Sequence, residues 1–313
     1  MSEAALDRAA LVEASFEIIA KGSKSFRSAS RLFDKDTRER AWLLYAWCRA
    51  CDDLTDGQAL GHDMKAPTDP KAAHRRIVQL TDKALAGEPT GVVPFDALGI
   101  VAKEARISRR AVTDHLDGFA LDAKGWVPQT EDDLLRYCFH VAGAVGVMMA
   151  QVMGVDPEDR DTLDRASDLG LAFQLANIAR DISADAAEGR VYLPQDWLNE
   201  AGLDIAALAD PANGDRIAPL ADRLVRLSRQ YRASARVGAR RLPFRSRLAV
   251  LAASNVYGAI GTKVVERGPK AWTSRTIVSD PEKLEEFTLA LVQAILPAGK
   301  RSRNGLWTKS AAA

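Results

Sequence analysis

The stretch "LGLAFQLANIARDISAD", residues 169–185, reads as one α-helix with a carboxylate edge. Apolar residues return at helical spacing through it and through the residues before it, as at Leu163, Ala166, Leu169, Gly170, Phe173 and Ala176. Asn177, Asp181 and Asp185 stand four apart. They therefore line one face, about 40° apart in azimuth and about 6 Å apart in rise. Gln174 extends the stripe backwards. A polar edge thus interrupts a helix whose other residues call for a core.

The same period runs through nearly the whole chain, while alternation every second residue is scarce, so an all-α protein is expected. Helices are predicted near 5–21, 35–57, 70–87, 94–106, 108–122, 131–153, 157–185, 216–240, 244–267 and 281–297. Between them, "GQALGHDMKAPTDP", "AGEPTGVVP", "AKGWVPQ", "DPANGD" and "RGPKAWTSRTIVSDP" gather the glycines, prolines and short polar residues that end helices. None of these is a convincing interdomain linker, and no repeat period is visible. The expectation is one all-α domain over residues 1–299, followed by a basic, disordered tail over 300–313.

A second acidic edge lies in "CRACDDLTD", residues 48–56, which follows the core-like run "RAWLLYAW". Asp52 and Asp56 share a face there, with Asp53 on the flank. One aspartate pair at this spacing is usually a solvated helix face. Two such edges, both in otherwise apolar helices, place carboxylates where they repel one another and are costly to bury unless protonated or bridged by a cation. Mg²⁺ suits such sites, because it takes hard oxygen ligands and is commonly shared between carboxylates and substrate phosphates; Mn²⁺ is the alternative ion. Asn177 could add a neutral oxygen. No EF-hand loop points to calcium, and four scattered histidines do not make a zinc site. With Arg49 and Arg180 beside the acids, the pattern points to a metal-bound diphosphate.

The totals restrict the partners. Lysine and arginine number 43 against 42 aspartates and glutamates, so no global charge recommends nucleic acid. The N-terminal residues "MSEAALDRAALVEASF" do not resemble a signal or transit peptide, and cytoplasmic residence is expected. The apolar run "VAGAVGVMMAQVMGV", residues 141–155, contains Gln151 and falls short of the roughly 18 residues a span requires, so no transmembrane helix is expected. Cys48 and Cys51 form a CxxC without a second pair, and with Cys138 they read as buried helical cysteines.

These residues resemble the squalene/phytoene synthase family of head-to-head prenyl synthases. "YAWCRACDDLTD" is similar to the family's first aspartate-rich motif, and "LGLAFQLANIARDISADAAEGRVYLP" to the second, at Gln174, Asn177, Arg180, Asp181, Asp185, Arg190, Tyr192 and Pro194. "YCFHVAGAVGVMM" is similar to the pocket-lining helix, "GSKSF" (22–26) to the N-terminal serine motif, and Tyr257 and Arg275 fall where a late tyrosine and arginine occur. The resemblance covers about residues 15–295 and is most like the bacterial phytoene synthases. It implies the isoprenoid synthase helical bundle, with a central cavity lined by the two aspartate-rich helices.

The implied reaction joins two geranylgeranyl diphosphates through a cyclopropyl intermediate to phytoene, the first step of carotenoid synthesis. The resemblance makes Asp52, Asp56, Asp181, Asp185 and Asn177 the metal ligands, with Asp53 either a ligand or a support behind them. Ser23, Ser25, Phe26, Arg49, Gln174, Arg180, Arg190, Tyr192 and Arg275 become substrate-binding residues, while Tyr137 and Tyr257 join the catalytic aspartates. "AAEGRVYLP" is expected to fold as a flap beyond Asp185. In "VAGAVG", Ala142, Gly143 and Gly146 lack bulk, either for tight helix packing or for passage of a prenyl chain; each interior glycine costs about 1 kcal/mol of helix propensity. NADPH is not expected, while transient peripheral membrane contact and association with other carotenoid-pathway enzymes are. Squalene or dehydrosqualene synthesis from farnesyl diphosphate is the near alternative. A non-catalytic binding factor on the same fold, and a phosphohydrolase built on His62 and Asp63, are alternatives of other classes.

Overall fold

The structure, a computed structural model, describes residues 7–56 and 69–309, without the side chains of Lys24, Ser25 and Asp56. His62 and Asp63 lie outside the described residues. Among the described residues every regular element is helical, as the periodicity requires. The chain groups into two compact units, residues 1–124 with 148–159 and residues 125–147 with 160–313.

The first unit holds α1 (Arg8–Gly22), α2 (Lys24–Ser30), α3 (Lys35–Asp56), α4 (Pro70–Leu85), α5 (Val93–Glu104) and α6 (Arg109–Asp122). Side-chain oxygens of Asp7, Ser23, Asp69 and Ser108 accept from orphan amides at the starts of α1, α2, α4 and α6. Trp47, Phe95, Leu98, Ile77 and Ile19 are fully buried between these helices. Their burial is what orders the unit, since each such side chain contributes about 1.5–3 kcal/mol. Arg8 and Arg40 share Glu104 at 2.5 and 3.1 Å and tie α1, α3 and α5 together. Gln151, the polar residue in the long apolar run, is 2% exposed and uses both ends of its amide, donating to the Arg106 carbonyl at 3.1 Å and accepting from the Ser108 amide at 3.4 Å.

The second unit holds α7 (Glu131–Cys138), a π-helical turn over Phe139–Gly143, the start of α8 (Ala144–Val152), then α9 (Arg160–Ala187), α10 (Gln195–Ala201), α11 (Ile205–Ala209), α12 (Gly214–Ala239), α13 (Phe244–Arg267) and α14 (Asp280–Ile295). Its core gathers Leu134, Leu175, Ile178, Trp197, Leu224 and Tyr231 around α9. The single helix expected over 131–153 is broken by the π turn at the small residues, and α2, α10 and α11 were not expected at all. The latter two run for 7 and 5 residues, too short for an apolar period to repeat.

Small residues in the π turn and α8 serve close packing. A Cβ on Gly170 would lie 2.2 Å from the Ala142 carbonyl oxygen, one on Gly146 2.4 Å from that of Ala166, and one on Gly143 2.7 Å from both Leu171 and Ser167. The bulk missing from "VAGAVG" is thus filled by α9, at Gly143 and Gly146, and not by free space.

The C-terminal segment corrects the expectation of a free tail. Arg303 is bound to Asp168 and Asp164, the Trp307 amide donates to the Tyr231 hydroxyl at 3.2 Å, and the Trp307 ring lies 5.5 Å from that of Phe139. Read by composition the segment is a basic end; in three dimensions its arginine meets a buried acid. Two helical runs, Glu131–Val152 and Phe244–Lys270, are long and apolar enough to cross a membrane by length and composition, but 61% and 50% of their apolar windows are buried within the protein, as in core helices.

Candidate active site

In the first unit the site residues collect where α2 meets the C-terminal half of α3. Tyr45, Cys48, Arg49 and Asp52 form the half-buried edge of α3, between the buried positions Leu44, Trp47 and Cys51. The Ser23 hydroxyl caps α2 by accepting from the Phe26 amide at 3.2 Å and also hydrogen-bonds Tyr45. Phe26 stacks on Tyr45 with ring centroids 4.8 Å apart. "GSKSF" is therefore a helix cap by construction, one that also sits about a turn from Arg49. Arg49 binds Asp53 at 2.9 Å, so Asp53 neutralises the arginine while Asp52 stands on the edge with Tyr45 and Cys48. Burial, first, and the nearby Asp52 charge push the Cys48 thiol well above its ordinary value, which leaves the CxxC protonated and free of any disulfide. The side chains of Ser25 and Asp56 lie outside the described residues.

In the second unit α9 presents Phe173, Gln174, Asn177, Arg180, Asp181 and Asp185 as half-buried residues, flanked by fully buried Leu175, Ala176, Ile178 and Ile182. Arg180 grips the neighbouring Asp181 through both oxygens, at 2.9 and 2.5 Å, and Arg275 approaches the same carboxylate at 3.5 Å. Arg275, isolated in sequence, is thus brought to the acidic edge. Arg190 reaches Asp185 at 3.3 Å. Burial pushes the Asp185 carboxyl above its ordinary value, with Arg190 acting the other way. The Tyr257 ring stacks on Phe173 at 4.0 Å, and its hydroxyl hydrogen-bonds Asn177. Burial keeps that hydroxyl protonated by raising its pKa, against the opposing effect of Arg180.

Beyond Asp185 the chain turns at Gly189, whose φ of 76° favours glycine, and the Arg190 amide returns to the Asp185 carbonyl at 2.8 Å. The flap then lays Tyr192 on Tyr137, 5.1 Å between centroids, and Tyr137 on Trp126 at 5.9 Å. Trp126 escaped the sequence reading because it lies in a loop and belongs to no motif. Backbone bonds from Gln195 to Pro128 and from Asp196 to Gln129 tie the flap's far end to the Trp126 loop. Beneath it Ile178, Ile182, Asp185, Arg190, Tyr192 and Leu208 line a small pocket.

The donor set on α9 fits a hard divalent cation. Asn177, Asp181 and Asp185 offer only oxygens, at one-turn intervals, with no thiolate or imidazole among them. Asp185, disfavoured as an anion by its burial, is the carboxylate whose charge such an ion would stabilise.

The family model for squalene/phytoene synthases matches residues 19–282. The chain belongs to the squalene/phytoene synthase family. Within it, the chain is 49% identical over 278 residues to a 15-cis-phytoene synthase of Enterobacter agglomerans, covering 88% of this chain and 92% of that one. It is 45% identical over 293 residues to the 15-cis-phytoene synthase of Pantoea ananas, covering 93% and 94%. Among solved structures, a dehydrosqualene synthase in complex with ligand superposes with a TM-score of 0.80 at 24% identity, covering 90% of this chain and 96% of that one. The squalene synthase HpnC from Alicyclobacillus acidocaldarius does so at 0.73 and 22%, covering 83% and 95%. At those identities the structures establish the all-α isoprenoid synthase fold for this family member. Members of the family generally use a divalent metal.

Proposed function

We infer that the protein is a phytoene synthase, a prenyltransferase that condenses two geranylgeranyl diphosphates head to head, by way of prephytoene diphosphate, to phytoene and two diphosphates in carotenoid synthesis. The observation that carries this reading is the 49% identity to a 15-cis-phytoene synthase along 88% of the chain. Two diphosphates and two protons leave, so the reaction needs no reductant, in contrast to a reductive squalene synthesis.

Mg²⁺, or Mn²⁺ in its place, is the proposed ion; Asp181, Asp185 and Asn177 are the ligands proposed on α9, and Asp52 and Asp56 those proposed on α3. When bound, it offsets the charge of the departing diphosphate. Arg180 and Arg275, both on Asp181, are placed to exchange that carboxylate for phosphate oxygens. Arg49 does the same from Asp53, with Ser23 and Ser25 as hydroxyl donors and Gln174 as an amide donor. Arg190 moves with the flap, and Tyr192 on Tyr137 closes that flap against water. Tyr257, stacked on Phe173, offers a ring face to allylic cations, and Phe26 offers a face from α2. The long substrates and product call for transient contact with a membrane surface from the cytoplasm and for carotenoid-pathway enzymes that take up the product.

Purified protein incubated with Mg²⁺ and geranylgeranyl diphosphate, without NADPH, is expected to yield 15-cis-phytoene. A C30 product from farnesyl diphosphate, with none from the C20 substrate, would move the reading to dehydrosqualene synthesis. No turnover of either by folded protein in detergent would favour a binding role.

A further inference from the structure

Helix α14 is built inside out. Its buried residues are the small Ala290 and Ala294, whereas Leu284, Leu289, Val292, Ile295 and Leu296 point outward with exposures of 66%, 46%, 47%, 67% and 51%. On a helix of 3.6 residues per turn these outward positions fill an arc of roughly 140°. An aliphatic surface of this width is not expected of an ordinary solvated helix, which turns its large apolar residues inward.

Charge divides the same helix along its length. Asp280, Glu282, Glu285 and Glu286 all lie in its first two turns; from Phe287 to Gly299 there is no charged residue, and then Lys300 and Arg301 follow. The neighbouring elements set further apolar and cationic groups at the uncharged end. Helix α13 runs antiparallel to α14: Arg247 donates to the Ala294 carbonyl at 3.0 Å, Asn255 to that of Glu286 at 3.1 Å, and Lys263 binds Glu282 at 2.7 Å. Phe244, one turn before Arg247, therefore lies at the C-terminal end of α14 with 48% of its surface exposed.

Along one face of α12 stand Arg229, Arg232, Arg236 and Arg240, at intervals of three and four residues. The stripe meets α14 twice. Arg240 donates to the Leu296 carbonyl at 2.5 Å, and Arg232 lies in the field of Glu286. Gly258 gives Arg232 its place, since a Cβ there would stand 1.7 Å from its guanidinium. The Nε atoms of Arg236 and Arg247 are buried without a hydrogen-bond partner, and Arg229 is exposed. Cations thus border the uncharged aliphatic ridge along its side and at its end.

We propose that this face, the C-terminal half of α14 with Phe244 and the exposed cations Arg229, Lys300 and Arg301 around it, seats on the surface of an anionic bilayer, its aliphatic side chains at the acyl boundary and those exposed charges among the headgroup phosphates. An aliphatic ridge with a basic border and no acid in its central turns is the pattern of an interfacial helix. A second copy of the chain is the poorer occupant: a two-fold axis through the ridge would bring an equally cationic border onto this one. The proposal rests on the reading of the protein as a phytoene synthase to the extent that its C20 substrate and C40 product reside in membranes.

The test is sedimentation of the full chain, without substrate, with vesicles of phosphatidylcholine alone or mixed with phosphatidylglycerol. Binding is expected to the mixed vesicles and to fall as salt is raised. Val292→Asp with Ile295→Asp should lower it at least about tenfold, and Arg229→Gln with Lys300→Gln about fivefold per charge removed. Both double variants should keep the wild-type circular dichroism and wild-type turnover in detergent. Equal binding by wild type and variants, or no binding to anionic vesicles, overturns the proposal. So does a concentration-dependent dimer in ultracentrifugation that the aspartates abolish while vesicle binding is absent. Vesicle binding needs no turnover, and detergent turnover needs no vesicle, so failure of this proposal and failure of the enzymatic reading show separately.

Discussion

The guanidinium of Arg303 closes on Asp168 through two hydrogen bonds of 2.8 Å, one to each carboxylate oxygen, with Ser234 donating a third at 2.5 Å. Asp168 is 1% exposed and lies in the same helix as the proposed metal ligands, about three and a half turns before Asp181. The C-terminal segment is thus a strap held to α9 by a buried ion pair.

Arg303→Ala leaves Asp168 buried with the hydroxyl of Ser234 and without the cation bonded to its two oxygens, Arg165 reaching only that hydroxyl at 3.1 Å. The expected loss is about 3 kcal/mol, the lower end for breaking a buried pair. Urea unfolding followed by tryptophan fluorescence reads this, because Trp307 leaves its place on Phe139 with the strap. Replacing both partners, Asp168→Leu with Arg303→Met, should recover most of the loss. A single-variant effect under about 1 kcal/mol would mean that the strap is held by its apolar residues alone.

Asp181→Asn and Asp52→Asn should each lower phytoene formation at least about 100-fold, since removing a ligand costs no less than disturbing its supporting shell. Circular dichroism should not change, because both residues stand on half-buried edges and not in the core. Chelation should abolish turnover in the wild type and added Mg²⁺ should restore it. Near-normal rates in both variants would remove these residues from the metal site.

Gly170→Ala probes the packing of α9 on the π turn. Its Cβ would meet the Ala142 backbone at 2.2 Å, where no side chain can swing away. Overpacking of this kind costs about 1–3 kcal/mol, so a clear fall in the unfolding midpoint is expected although alanine is the better helix former. A rise in stability would show that the two segments can part without loss.

Lys263 and Ser279 hold Glu282 down to about 2 in a capping box that starts α14. With its folded pKa below the unfolded value of 4.5, this group's contribution is complete above about pH 4.5 and is lost as pH falls towards about 2. The protection of amides in the first turn of α14, their exchange relative to the intrinsic rate at each pH, should therefore fall over that acid window, and Lys263→Gln should narrow it. A first turn with the same protection factor at about pH 5 and about pH 3 would exclude the linkage.

Much of the candidate site was legible because its residues have a period. Asn177, Asp181 and Asp185 recur at one helical turn, and a helix must then present them together wherever it is placed. The helices themselves were legible for the same reason, as α9, α12 and α13 show, each long enough for an apolar stripe to repeat. Arg275 and Trp126 were not, or only through a resemblance. Arg275 stands in an irregular segment and reaches Asp181 by the path of the chain, and Trp126 joins Tyr137 and Tyr192 only as the end of a stack.

By itself the sequence determined what local geometry forces: an all-α chain, two oxygen-rich helical edges, and a glycine turn after Asp185. Tertiary structure decided whatever depends on which surfaces meet. The small residues of "VAGAVG" are the clearest case, since a missing side chain announces a gap but not its occupant, and α9 fills it. The strap and α14 are the other two. Composition reads residues 300–313 as a basic end, and only folding puts a buried carboxylate under Arg303; periodicity reads a helix over 281–297, and only packing turns its alanines inward and its leucines out.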